Sequence, residues 1–323
     1  MAEYLVTGAA GFIGSRVAEM LLEAGHRVTG IDNLNDYYDV RLKEWRLEGL
    51  RARPGFTFRK LDIEHLPELD RLFAESDFAA VINLAARAGV RYSMENPHVY
   101  VSTNTMGTLN LLECMRKYGV KKQVLASTSS LYAGQAMPFT EELPVNTPLS
   151  PYAASKKAAE VMAYSYHKLY GLDITVVRYF TVFGPGGRPD MSIFRFIKWI
   201  DEGRPVELFG DGSQSRDFTY VDDIASGTIA ALKDIGYEIV NLGGGNNPLT
   251  LNEVIGFIET ALGKKAVIER KPFHEADMAA TWADIAKAKR LFGWSPAITP
   301  QDGFRRCVAW YRENKSWLAD VKL

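Results

Sequence analysis

The chain has 323 residues, 47% hydrophobic and 24% charged, with a formal net charge of -1. This is the balance of a globular chain of one large or two smaller domains, and it gives no electrostatic basis for binding nucleic acid or an anionic membrane. Two cysteines, Cys114 and Cys307, and five scattered histidines exclude a disulfide framework and a zinc-type spacing; no metal is expected.

The first apolar run, Tyr4-Leu-Val-Thr7, predicts a strand, and Val28-Thr-Gly-Ile-Asp32 predicts a second. A strand starting near Glu3 leaves no room for a signal peptide, and no apolar stretch reaches the roughly 18 residues needed to span a bilayer, so a cytoplasmic protein is expected. Between the two strands Ile13, Val17 and Leu21 recur at helical spacing, and Gly25 is a stop signal. The turn into that helix reads Thr7-Gly-Ala-Ala-Gly-Phe-Ile-Gly14. In a dinucleotide-binding turn Gly8 permits the bend, Gly11 lets the backbone approach a pyrophosphate, and Gly14 lets helix and strand pack closely. Asp32 ends the second strand, where a carboxylate holds both adenosine ribose hydroxyls and repels a 2′-phosphate. NAD is therefore favoured over NADP.

Further strands are predicted over 56–61, 80–84, 123–127 and 174–179, with helical patterns between most of them. The fold class is α/β, a doubly wound parallel sheet. Ser127-Thr-Ser-Ser130 closes one of these strands, so its hydroxyls face the ligand crevice and one can relay a proton. Ser150-Pro151 caps a helix whose first two turns carry Tyr152 and Lys156, four apart and on one face. A free tyrosine titrates near pH 10, so a phenol working as a base near neutrality needs roughly 3 to 4 kcal/mol of help. A cation about 4 Å away supplies about 4 kcal/mol at an effective dielectric of 20. The spacing therefore predicts an ion pair that turns Tyr152 into a base beside a nicotinamide.

The second half is less regular, with glycine- and proline-rich loops near 184–189 and 210–215. Thr250-Leu-Asn-Glu253 predicts a capping box opening a helix to about Leu262. Thr299-Pro300 opens another, with Phe304, Val308 and Tyr311 on its inner side. Gly243-Gly-Gly245 lacks a following Lys-Ser or Lys-Thr and is expected to be a structural turn.

Taken together, the glycine turn, the Ser/Thr run and Tyr-x-x-x-Lys resemble the extended short-chain dehydrogenase/reductases, a family of nucleotide-sugar epimerases, dehydratases and decarboxylases. The likeness covers nearly the whole chain, including Leu84-Ala-Ala86 and Arg216-Asp-Phe-Thr-Tyr-Val-Asp-Asp223. The resemblance implies an NAD-binding domain over 1–180, to which a segment near 215–245 returns, and a nucleotide-sugar-binding domain over 181–323. It implies Thr128, Tyr152 and Lys156 as catalytic residues. Toward the cofactor it places Gly8, Gly11, Phe12, Ile13, Gly14, Asp32 and Asn33, then Asp62 and Ile63 at the adenine. Leu84, Ala85, Ala86, Asn104 and Tyr179 follow, with Tyr152 and Lys156 again.

Asn35-Asp-Tyr-Tyr-Asp39, Ala88-Gly-Val-Arg-Tyr-Ser93 and Gly187-Arg-Pro-Asp-Met191 resemble the UDP-glucuronate 4-epimerase branch. The dehydratases carry Asp-Glu after the catalytic threonine; Ser129-Ser130 stand here instead, so no acid is present to protonate a leaving hydroxyl. That branch implies transient oxidation at C4, rotation of the 4-keto sugar and hydride return. Substrate contacts are then expected from Arg91, Ser129, Ser130, Thr181 and Arg188 at the uronate, and from Arg195, Gln214, Arg216 and Asp277 at the diphosphate and uridine. Four positions depart from the pattern: Asn83, Ala133, Gly186 and His274. A UDP-glucuronate decarboxylase and a neutral-sugar 4-epimerase remain open, as, more remotely, does a non-catalytic dinucleotide-binding scaffold. The family also implies a homodimer built on helices near 100–117 and 151–170.

Overall fold

The computed structural model describes residues 1–245, 248–273 and 278–323. Six strands, β1 (Glu3–Thr7), β2 (Arg27–Asp32), β3 (Phe56–Lys60), β4 (Ala80–Asn83), β5 (Lys122–Thr128) and β6 (Asp173–Tyr179), share one sheet with Tyr237–Leu242. The order across it is Tyr237–Leu242, β6, β5, β4, β1, β2, β3, and every pairing is parallel.

Neighbouring residues along a strand enter different cores, as a period of two requires. Leu5, Val81 and Leu125 join one core, while Val6, Ile82 and Val124 join the core on the opposite face. All seven residues of β5 are buried, as befits a parallel strand covered by helices on both sides. The strand order switches direction between β1 and β4. The crevice outside their carboxyl ends is where an open α/β sheet binds its ligand.

Beyond β6 the chain builds smaller pairs. Thr181–Phe183 lies parallel to Phe218–Tyr220, and Pro205–Phe209 parallel to Val267–Lys271. Helices Ser192–Glu202, Leu251–Leu262 and Pro300–Glu313 pack over them through Phe194, Ile197, Val254, Ile258, Phe304 and Val308. The capping box forms: Glu253 N donates to the Thr250 hydroxyl at 3.2 Å, and Thr250 N donates to the Glu253 carboxylate at 2.8 Å. Gly243-Gly-Gly245 is a structural turn, since Gly244 and Gly245 donate their backbone N–H groups to the buried carboxylate of Asp217.

Candidate active site

One cavity of ≈ 1180 Å³ runs from the glycine turn, across the carboxyl ends of the strands, to the smaller lobe. Its size exceeds that of a pocket for one drug-sized ligand. At one end the backbone is too crowded for side chains. A Cβ on Gly14 would lie 2.1 Å from the Gly8 carbonyl oxygen, and Gly8 itself has φ +68°. The helix Phe12–Glu23 that follows has no side-chain cap, so its N-terminal N–H groups face this cradle without a competing oxygen. The Asp32 carboxylate accepts from Ala10 N (3.2 Å) and Leu34 N (2.8 Å), which fixes it at the end of β2. Asn33 donates to Asp62 at 2.6 Å, joining the residues expected at the ribose and the adenine. Leu84 N and Ala85 N both donate to the Thr7 hydroxyl, which donates in turn to Asn83. These features fit a dinucleotide.

At the centre stand Thr128, Tyr152 and Lys156, all lining the cavity. Ser150 caps the helix Pro151–Tyr170 by accepting from Ala153 N at 3.2 Å. Lys156 shares a helix face with Tyr152, but its ammonium reaches inward and donates to the Ala126 carbonyl of β5 at 2.9 Å. Burial pushes this lysine down to about 8, against the attraction of Glu160. Burial likewise pushes the Tyr152 phenol above its ordinary value, opposed by a hydrogen bond with Thr128 and by the charge of Arg188. Arg188 thus adds positive charge near the phenol from outside the catalytic helix. A buried ammonium must hydrogen-bond first, and the strand carbonyl is the partner in reach.

Glu160, one turn beyond Lys156, is 1% exposed and fully engaged. It accepts from the Ser127 hydroxyl (2.7 Å) and from Arg178 Nε and Nη2 (2.9 and 2.8 Å). Arg178 also donates to Tyr132, which donates to Asn241. The catalytic helix is therefore stitched to β5 at two successive residues, Ala126 and Ser127. Sequence reasoning missed this network because its members lie on five separate elements.

The sugar end carries Ser129, Ser130, Thr181 and Arg188, with Arg91, Arg195, Gln214 and Arg216 farther along the same cavity. Arg91 lies over the Phe209 ring, 4.2 Å from its centroid, and Arg195 over Trp199 at 4.7 Å. Among the described residues the buried Nε of Arg195 has no hydrogen-bond partner, as suits a group that receives an anion. Arg216 donates to the Ser215 carbonyl at 2.8 Å, beside Asp217, whose carboxylate is held by backbone N–H groups. Asp277 and His274 lie outside the described residues.

Phe12, Ile13, Ile63, Ala86 and Tyr179 also line the cavity. Asn104 does not. Its amide sits behind the wall, accepting from Arg87 N (2.8 Å) and donating to the Arg87 carbonyl and the Ser155 hydroxyl. It ties the 84–88 segment to the catalytic helix from within a π-helical turn, Val101–Met106. Three of the departures find physical reasons. Asn83 bonds Thr7 and Thr108. Ala133 has φ -53°, which needs no glycine. Gly186 is covered by Trp45, whose ring would lie 2.8 Å from a Cβ there.

Lys43 and Arg46 were missed as well. Lys43 lines the cavity, donates to the Asn35 carbonyl and is pushed down to about 8 by burial, against the attraction of Asp32. Arg46 spans from the glycine turn to the sugar end, donating to the carbonyls of Ala10 and Gly186. The only sequence signal was their place on a helix after the Tyr37-Tyr38 pair.

A cradle for a dinucleotide, a Thr–Tyr–Lys centre and a cationic sugar end define a nucleotide-sugar-modifying dehydrogenase-type site. The chain belongs to the NAD-dependent epimerase/dehydratase family, whose model matches residues 4–243. It is 60% identical, over the full length of both chains, to the UDP-glucuronate 4-epimerase of Thermodesulfobacterium geofontis. Among solved structures it resembles the UDP-glucuronic acid 4-epimerase of Bacillus cereus in complex with UDP-glucuronic acid and NAD. That match has a TM-score of 0.91 at 37% identity, covering 97% of this chain and 99% of that one. The UDP-glucose 4-epimerase of Thermotoga maritima with UDP-glucose matches with a TM-score of 0.88 at 32% identity, over 97% and 99%.

Proposed function

We propose that this enzyme interconverts UDP-glucuronate and UDP-galacturonate by NAD-dependent epimerisation at C4. The observation that carries the substrate is the company of Thr128: Ser129, Ser130, Thr181 and Arg188 line the same cavity as Tyr152. Hydroxyl donors and a guanidinium suit a sugar carboxylate, and the dehydratase acid is missing.

Gly8, Gly11, Phe12, Ile13 and Gly14 hold the pyrophosphate in this scheme. Asp32 with Asn33 holds the ribose, and Asp62 with Ile63 the adenine. Held there, NAD⁺ would supply a reversible hydride acceptor for C4 and a positive charge near the phenol. Tyr152 takes the O4 proton, helped by Thr128, and gives it back after the 4-keto sugar has turned its other face. Lys156 and Arg188 supply the local positive charge. Ser129, Ser130, Thr181 and Arg188 hold the carboxylate away from alignment with the C4 carbonyl, which keeps the β-keto acid from losing CO2. Arg91 lines the uronate pocket with them, and Arg195, Gln214 and Arg216 receive the diphosphate and uridine. Residues 1–180 with the returning strand Tyr237–Leu242 form the cofactor lobe, and 181–323 the sugar-nucleotide lobe.

We also place the protein in the cytoplasm as a homodimer. Val101 and Met106 on one helical segment, with Val161 and Tyr164 on the catalytic helix, expose about half of their surface each. Such an apolar face suits a second copy. A monomer mass by light scattering would remove that assignment. Among the described residues no helix is long and apolar enough to cross a membrane.

The test is product analysis from UDP-glucuronate, UDP-galacturonate, UDP-glucose and UDP-galactose with purified protein and no added cofactor. The two uronates should interconvert. A UDP-pentose with CO2, or turnover of the hexoses alone, would favour the decarboxylase or the neutral-sugar epimerase instead.

A further inference from the structure

Arg188 enters the cavity with its orientation already decided. Its Nε and Nη2 donate to the two carboxylate oxygens of Asp190, at 3.0 and 2.5 Å, so one edge of the planar guanidinium is spent. Its Cζ lies over two rings, 5.5 Å from the Tyr37 centroid and 5.9 Å from that of Tyr38, and the Tyr37 hydroxyl also accepts a hydrogen bond from the guanidinium. Both rings are themselves fixed. The Tyr37 hydroxyl would lie 2.6 Å from a Cβ on Gly89, so only glycine lets it sit there. The Tyr38 hydroxyl accepts from Arg46 Nη1 at 2.9 Å. A guanidinium held along one edge by Asp190 and packed against two tyrosines is restricted in orientation, and its remaining N–H groups are what it can offer a ligand.

We propose that Asp190 is a positioning residue that fixes the plane of Arg188 and thereby selects epimerisation over loss of CO2. The proposal rests on the uronate reading of the pocket. In the competing reaction the C5–C6 bond of the 4-keto uronate breaks, and its electron pair moves into the C4 carbonyl as an enolate. CO2 leaves, a proton is taken up at C5, and the hydride removed from C4 returns to give a UDP-pentose. The bond breaks only when it stands parallel to the carbonyl π system. An arginine locked by Asp190 holds the carboxylate out of that alignment. An arginine on a free stem follows the carboxylate into it. Both Asp190 oxygens are taken by Arg188, so its effect is expected to run through the arginine and fall on product partition rather than on affinity.

The experiment compares Asp190→Ala, Asp190→Glu and Arg188→Ala with the wild type on UDP-glucuronate, counting epimer, pentose and CO2. In Asp190→Ala epimerisation should fall about tenfold or more, the usual scale for a misplaced binding group, with KM within about threefold because the cation remains. Pentose and CO2 should rise from undetectable to about a tenth of turnover, and Asp190→Glu should restore part of the wild-type ratio. An unchanged product ratio in a folded Asp190→Ala variant would overturn the proposal. Should that variant fail to fold, Asp190→Asn keeps the shape and must show the same partition. Arg188→Ala separates the two levels. If it leaves the preference for UDP-glucuronate over UDP-glucose intact, the uronate reading falls. If it abolishes that preference while Asp190→Ala behaves as wild type, only the role of Asp190 falls.

Discussion

Replacing Lys156 with methionine should make the protein more stable while removing its activity. Lys156 is 5% exposed, and among the described residues its ammonium donates one hydrogen bond, to Ala126. Its pKa is pushed down to about 8 from 10.5, burial being the main cause and Glu160 opposing it. A depression of that size costs folding about 3 kcal/mol at pH 7, where the native state must bury the charge. Methionine fills similar volume without charge, but it leaves the Ala126 carbonyl one donor short, which offsets about 1–2 kcal/mol. The net gain is about 1–2 kcal/mol, a rise of a few degrees in Tm for a chain of this size. The sign of the pH dependence follows from the depressed pKa. Stability tied to neutral Lys156 is present above the unfolded value of 10.5 and is lost as pH falls through about 8. The wild type should therefore gain on the variant as pH rises, closing the gap by about 1 kcal/mol between pH 7 and pH 9. Calorimetry at both pH values, with turnover measured alongside, checks this. A variant that melts at or below the wild type at pH 7, with a gap that ignores pH, would refute the reasoning.

Wild-type turnover should decline as pH rises through about 8, where Lys156 loses its charge, and a pH profile on UDP-glucuronate shows the limb. Glu160→Gln leaves Arg178 buried without its carboxylate, so urea unfolding should report a loss of about 3–5 kcal/mol. Gly14→Ala drives a methyl to 2.1 Å from the Gly8 carbonyl, and the purified variant should lose bound NAD, read as nucleotide released on denaturation. Thr181→Ala should weaken UDP-glucuronate binding or release CO2; unchanged epimerisation with unchanged affinity would remove Thr181 from the carboxylate clamp.

What the sequence revealed was local. Alternating apolar residues marked the six strands to within a residue or two, because each strand's burial is written in its own side chains. Caps at Ser150, Thr250 and Thr299 were visible because a cap bonds within three residues of itself. The glycines of 8, 11 and 14 were visible because crowding admits nothing larger. The destination of Lys156 was not. Helical spacing says which face a side chain leaves from, while the carbonyl it meets belongs to a strand 30 residues earlier. The same holds for Arg178 with Glu160, and for Trp45 covering Gly186. Tyr37 and Tyr38 were legible as a family mark, but their role against Arg188 depends on a loop 150 residues away. Long-range polar pairing follows from the assembled sheet, so it carries no periodic signal in the chain.

The central claim is that the C4 hydrogen leaves and returns as a hydride within one site. UDP-glucuronate carrying deuterium at C4, incubated with the purified enzyme in ordinary water, tests it by NMR of the product. UDP-galacturonate should form with its deuterium still on C4. Deuterium washed out into solvent, with a proton from water in its place, would contradict it.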